Sequence, residues 1–200
     1  PIVILHGLFG SSRNWAVAGR FLDAYGAVAA LDLRNHGESP HDASHTLDDM
    51  VGDVAEWLAE HAGQPAVLVG HSMGGHVAMA LALEQPQRIA AVVIVDVAPR
   101  AYAQDHAAEL EALSVDVSRL SSRQEVDGAM AVHVPDAAIR RFLQMNLERA
   151  GDGFRWRINA AALRRARAAA GAVEFRGVYP GPALFVAAGR SGYVTAADHD

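Results

Sequence analysis

The ten residues Ala66-Val67-Leu68-Val69-Gly70-His71-Ser72-Met73-Gly74-Gly75 restrict this chain more than any other stretch. A short apolar run reads as a buried strand, and Gly74–Glu84 reads as a helix. The G-x-S-x-G pentapeptide at 70–74 must therefore turn strand into helix within a few residues. Such a turn brings backbone against backbone, and glycines at 70 and 74 remove the Cβ atoms that would collide. It also lifts the Ser72 hydroxyl above the sheet edge, beside a helix start whose N–H groups and dipole favour negative charge. A serine placed this way is a candidate nucleophile. The pentapeptide alone would also suit a chance glycine-rich turn; the strand before it and the helix after it favour the nucleophile.

The rest of the chain repeats the same alternation. Apolar, β-branched runs at Ile2–Leu5, Ala27–Leu33, Pro65–Gly70, Ile89–Val97 and Pro182–Ala188 read as strands. Between them lie amphipathic helical stretches. Trp15, Ala18, Phe21 or Leu22, and Tyr25 recur at helical spacing, and so do Leu47, Val51, Val54 and Leu58. The second set starts behind Thr46 and Asp49, a capping box. Strand and helix in alternation predict an α/β fold with a mostly parallel sheet covered by helices on both faces.

Between Asp96 and Pro182 the rhythm changes. Helices are expected at about 104–113, 121–132, 136–149 and 159–170, with no strand among them, which suggests a helical cap inserted into the sheet. The expected division is a core of 1–99 and 179–200 and a cap of 100–178. Trp156 and Phe142 read as packing within the cap.

Composition excludes several chemistries. There is no cysteine, and all 17 basic residues are arginine, so thiol nucleophiles, Schiff bases and the P-loop lysine are ruled out. A net charge of −6 with dispersed arginines argues against nucleic acid as a partner. No apolar run approaches the ~20 residues that span a bilayer. No basic, cleavable leader is visible, so neither a membrane partner nor export is expected and a cytoplasmic location is.

His6-Gly7-Leu8-Phe9-Gly10 follows the first strand. Acyl transfer needs two donors aimed at a tetrahedral oxyanion. The N–H of Met73, next to the nucleophile, is one candidate, and the N–H of Leu8 in this loop is the other. His6 reads as a histidine that braces the loop.

HGLFGS at 6–11, DLRNHGESP at 32–40, GHSMGG at 70–75 and VDVAP at 95–99 occur in this order. Together they resemble the small bacterial esterases of the YbfF type within the α/β-hydrolase superfamily. The resemblance runs from residue 1 to about 195 and is weakest across the helical insertion. It implies hydrolysis of a small carboxylic ester or thioester through an acyl-enzyme on Ser72, with no cofactor and no metal. It also implies Asp96 as the acid that orients the base. The loop after 182–188, where this superfamily more often keeps its acid, holds no carboxylate until Asp198. A carboxylate at a strand end, as at 96, also lies where parallel sheets bind ligands.

The base histidine should follow one further strand. His106 and His133 fall in the expected cap, and His199 falls in the helix expected after the fifth visible strand. His71 points away from its neighbour on a tight elbow. The expectation is a piece truncated at both ends, with the base beyond Asp200.

Two weaker signals remain. His36, His41, Asp42 and His45 share one loop and could suggest zinc, but a serine hydrolase needs no Lewis acid. Arg155, Arg157, Arg164, Arg165 and Arg167 could receive an anionic substrate, though a solvated helix face explains them as well. Two other functions fit the same residues: carbon–carbon lyase or perhydrolase chemistry on the same serine, and a non-catalytic ligand-binding protein. The acyl and alcohol groups and the oligomeric state are not encoded in any recognised motif.

Overall fold

The computed structural model describes residues 1–102, 106–169 and 175–198. In chain order the elements begin with β1 (Ile2–Leu5), α1 (Ala16–Leu22), β2 (Val28–Leu31), α2 (Leu47–His61), β3 (Ala66–His71), α3 (Met73–Glu84) and β4 (Ile89–Val95). Then come α4 (Ala107–Ala112), α5 (Arg123–Met130), α6 (Ala137–Leu143), β5 (Leu147–Ala150), β6 (Gly153–Trp156), α7 (Ala160–Ala169) and β7 (Ala183–Val186). The chain divides into two compact units. One draws on residues 1–33, 46–102 and 171–200, the other on 34–45 and 103–170.

The first unit is a five-stranded parallel sheet in the order β2-β1-β3-β4-β7. Alternate side chains of β1 explain its two covered faces. Val3 and Leu5 pack with Leu68, Ile94, Val54 of α2 and Leu81 of α3. Ile2 and Ile4 pack on the other side with Val69, Trp15 and Leu22. Both faces of β1 are thus apolar, as parallel strands between helices require. Helix α2 starts on the expected capping box, the Thr46 side chain accepting from the Asp49 N–H at 3.1 Å. It buries Met50, Val51, Val54 and Leu58, each contributing roughly 1.5–3 kcal/mol. Of the helical positions expected after β1, Trp15 and Leu22 face the sheet while Phe21 and Tyr25 are exposed. The outer strand β7 pairs with β4, and its Leu184, Phe185 and Val186 are exposed.

The second unit departs from the sequence expectation in two ways. The helix expected over 136–149 ends early: α6 stops at Leu143, a 3-10 turn covers Gln144–Asn146, and β5 and β6 form an antiparallel hairpin. Gly151, at φ 58, begins its two-residue connection, which is the conformation a type II′ turn requires at that position. The second departure is segment 34–45, expected in the core, which folds with the helical insertion. Asn35, at φ 67 and fully buried, ties it there. Its carbonyl accepts from the Asn159 N–H at 2.9 Å, and its Oδ1 accepts from the Asn159 side chain at 2.9 Å and the Asp42 N–H at 2.8 Å.

Helices α4, α5 and α7 lie within the ranges expected for them, and residues 104, 105 and 170 of those ranges lie outside the described residues. Trp156 donates to the Val115 carbonyl at 2.9 Å, but Phe142 is exposed and does not pack as expected.

Candidate active site

The register of the sheet brings the sequence candidates together. His71 at the end of β3 lies opposite Val95 at the end of β4. Ser72 and Asp96 are each the next residue, on adjacent strands at the carboxyl edge. The Ser72 N–H continues the ladder by donating to the Val95 carbonyl at 3.0 Å, and the Asp96 N–H donates to the Val186 carbonyl at 2.8 Å. Leu5 at the end of β1 is paired with Gly70, so the loop carrying Gly7, Leu8 and Phe9 opens at the same edge. The connections leave β1 toward β2 on one side and continue through β3 and β4 on the other. This edge between β1 and β3 is a topological switch point, where open parallel sheets bind ligands.

Backbone strain collects at the same edge. Among the described residues, four non-glycine residues have positive φ: Phe9 (63°), Asn35 (67°), Ser72 (50°) and Asp96 (54°). Three of them follow β1, β3 and β4. Such conformations cost of order 1–3 kcal/mol each and persist where surrounding structure enforces them. The enforcement at Ser72 is visible. A Cβ on Gly70 would strike the Gly74 carbonyl and lie 2.7 Å from the Cα of Gly75, and a Cβ on Gly74 would strike the Leu5 carbonyl. One on Gly75 would meet Val97 at 2.5 Å. Strand, bend and helix are therefore packed backbone to backbone.

Ser72 is also the N-cap of α3, where a serine side chain ordinarily bonds the first turn. It makes no such bond, because φ 50 and ψ −116 turn the side chain out of capping geometry. The residue is partly exposed. The N–H of Met73, in the first helical position, has no acceptor within the helix. Neither it nor the Leu8 N–H donates to another group among the described residues. Asp96 is partly exposed, and its Oδ1 accepts from the Ala188 N–H at 3.3 Å.

Four histidines of this unit lie within the described residues, and each has a definable environment. His6 is buried, with Nε2 accepting from the Leu33 N–H at 3.0 Å, so Nδ1 carries the proton given to the Gly7 carbonyl at 2.9 Å. Burial pushes its pKa down, opposed by that hydrogen bond and by Asp32. It braces the loop. His76 holds the Ala98 carbonyl at 3.2 Å, and burial lowers its pKa as well. His61 bonds the Trp57 carbonyl at 2.9 Å. His71 packs on Gly7, where an added Cβ would lie 2.6 Å from its Nδ1, and its ring is 6.3 Å from that of Trp15. Burial lowers its pKa, partly offset by the Asp96 charge. His199 lies outside the described residues.

Asp198 is committed elsewhere: it pairs with Arg100 at 2.7 Å and accepts from the N–H and hydroxyl of Thr195, both at 2.8 Å. These contacts hold its pKa down to about 2.

The other charged clusters resolve locally. His41 bonds the Arg157 carbonyl at 2.8 Å, the Asp42 carboxylate caps the Ser44 N–H at 2.7 Å, and the rings of His36 and His45 lie 5.4 Å apart. Among the described residues no three histidine or carboxylate side chains converge on a metal position. The arginines expected on a solvated face are largely paired: Arg155 and Arg157 with Glu148, Arg157 also with Glu38, and Arg164 with Glu111.

Residues 1–128 match the model of the alpha/beta hydrolase fold. The chain belongs to that family. Within it, the chain is 36% identical over 211 residues to the sn-1-specific diacylglycerol lipase ABHD11 of Danio rerio, an alignment that covers 100% of this chain and 66% of that protein. It is 34% identical over 197 residues to the esterase YbfF of Escherichia coli (strain K12), covering 98% of this chain and 76% of that one. A solved structure of a marine microorganism esterase superposes with a TM-score of 0.91 at 30% identity, covering 100% of this chain and 80% of that one. The chain thus spans about two thirds of the length of the curated lipases it resembles. Among the described residues, no helix is long and apolar enough to cross a membrane.

Proposed function

We propose that this alpha/beta hydrolase cleaves small carboxylic esters or thioesters through an acyl-enzyme on Ser72. The observation that carries the proposal is the strained Ser72 bend. It leaves the Ser72 hydroxyl without a capping bond, next in sequence to Met73, at the sheet edge where the loop bearing Leu8 also opens and one strand away from Asp96. The names of the relatives, a diacylglycerol lipase and two esterases, supply the substrate class.

In this mechanism the Ser72 Oγ attacks the acyl carbon while an imidazole takes its proton. The N–H groups of Leu8 and Met73 hold the oxyanion, and the imidazolium returns the proton to the departing alcohol or thiol. Water then repeats the sequence on the acyl-enzyme and frees the acid. Asp96 orients the imidazole and stabilises its charged form. Among the described residues of this unit, His6, His61 and His76 have ring nitrogens engaged with backbone, and His71 sits beside the nucleophile on the elbow. The base is accordingly taken to be another histidine of the full-length protein.

The test uses the full-length protein with p-nitrophenyl esters of increasing chain length and a fluorophosphonate trap. Ester turnover with one covalent adduct on Ser72 is expected, with both abolished in Ser72→Ala. In Asp96→Asn, turnover should fall about 10³–10⁴-fold. Turnover that survives Ser72→Ala would overturn the assignment.

A further inference from the structure

Outside the residues assigned above, one cluster of side chains joins the loop after β4 to the loop after β7. The Arg100 guanidinium forks onto Asp198, with Nε to Oδ1 at 2.7 Å and Nη2 to Oδ2 at 3.4 Å, and Nη2 also donates to the Tyr193 carbonyl at 3.1 Å. Arg100 lies over the Tyr102 ring at 4.2 Å, and the Tyr102 hydroxyl donates to the same Tyr193 carbonyl at 2.6 Å. That hydroxyl in turn accepts from the Ala98 N–H at 2.8 Å. The Ala98 carbonyl is held by the His76 ring of α3 at 3.2 Å. Asp198 is fixed from its own side by the N–H and hydroxyl of Thr195, which leaves its side chain 10% exposed.

What this cluster fastens is informative. The loop it draws in begins at Ala187 and Ala188, and the Ala188 N–H is the donor that meets the Asp96 carboxylate at 3.3 Å. The other loop begins at Asp96 itself, whose φ of 54 is a conformation that persists only where surrounding structure holds it. Both ends of the Asp96 environment are therefore tied to one charged pair about a hundred residues apart in sequence. We infer that Asp198 is a positioning residue: by gripping Arg100 it pins the loop after β7 so that the Ala188 N–H holds the Asp96 carboxylate in one orientation. The carboxylate on the loop where a catalytic acid would often sit acts as a clamp for the one on the neighbouring strand. The kinetic consequence rests on the proposed role of Asp96; the clamp itself does not.

The experiment uses the full-length protein and two variants that break the pair from opposite sides, Asp198→Asn and Arg100→Gln. Hydrogen exchange followed by mass spectrometry reads the peptide covering 183–190, and p-nitrophenyl acetate hydrolysis gives kcat and KM. Each variant should speed exchange in that peptide about tenfold, the scale for a charge-assisted pair discounted for Arg100 exposure. Each should also lower kcat about tenfold with KM within twofold, and the double variant should add little. Asp198→Glu should recover most of the loss. Unchanged exchange in both single variants would overturn the clamp. Faster exchange with unchanged kcat would overturn its role in positioning Asp96. Faster exchange in a protein that hydrolyses no ester would support the clamp while sinking the reading of Ser72.

Discussion

Replacing Ser72 by alanine and by glycine separates backbone strain from chemistry. Alanine removes a hydroxyl that makes no capping bond and keeps the Cβ at φ 50, so the fold should change by less than about 0.5 kcal/mol. Glycine removes the Cβ as well. The strain it relieves is of order 1–3 kcal/mol, and the extra entropy of the unfolded chain takes back about 0.5–1 kcal/mol. The glycine variant should therefore be about 1 kcal/mol more stable than the alanine variant. In a domain of this size that corresponds to roughly 2–4 °C in melting temperature. Parallel urea titrations with a common slope measure the difference directly. Both variants should be inactive as full-length proteins. A glycine variant that unfolds with alanine, or before it, would refute the idea that the elbow stores strain against its own stability.

Three other outcomes are expected. Gly74→Ala would drive a Cβ into the Leu5 carbonyl and to 2.7 Å from that of His6; the forced separation of α3 from β1 should cost roughly 1–3 kcal/mol in urea titrations and displace the Met73 N–H. Burial holds His6, His71 and His76 below 6.5, so the unfolded chain takes up these protons first. Stability should be full above pH 6.5 and decline as pH falls from there toward the folded values; His6→Gln should flatten the decline in urea midpoints, and a slope unchanged by it would contradict the assignment. Asn159→Ala removes the side-chain bonds to Asn35 and the Asp42 carbonyl at 2.9 and 3.0 Å. Hydrogen exchange across 34–45 should rise at least about tenfold, at about 1 kcal/mol per lost bond, with exchange in β1 and β3 unaffected.

The core strands were readable because each is a short apolar run bounded by turn residues, and the elbow because strand, glycines and helix agree over ten residues. The Thr46–Asp49 box and the inward face of α2 were equally plain. The hairpin of β5 and β6 was not. Leu147-Glu148-Arg149-Ala150 carries residues of good helix propensity behind a true helix, and the Gly151-Asp152 pair is a weak turn signal against that composition. Pairing with a partner strand decided the outcome. Phe142, Phe21 and Tyr25 show the limit of periodicity, which names a stripe but not the neighbour that would cover it. Placement of 34–45 was invisible for a different reason. Its partners are Asn159 and Arg157, more than a hundred residues away, and polar contacts of that span leave no local pattern. At the site, the elbow and the loop after β1 announced themselves, whereas the Arg100–Asp198 pair is two unremarkable charges until the fold brings them together.

The Asn35 hub has a practical corollary for chimeras. A specificity transplant between relatives that exchanged residues 103–170 as a single cassette would orphan a buried amide whose partners had left with the donor. The transferable block is discontinuous: it includes 34–45, cut at Leu33 and Thr46, and recombination libraries that respect those two junctions should retain far more folded members.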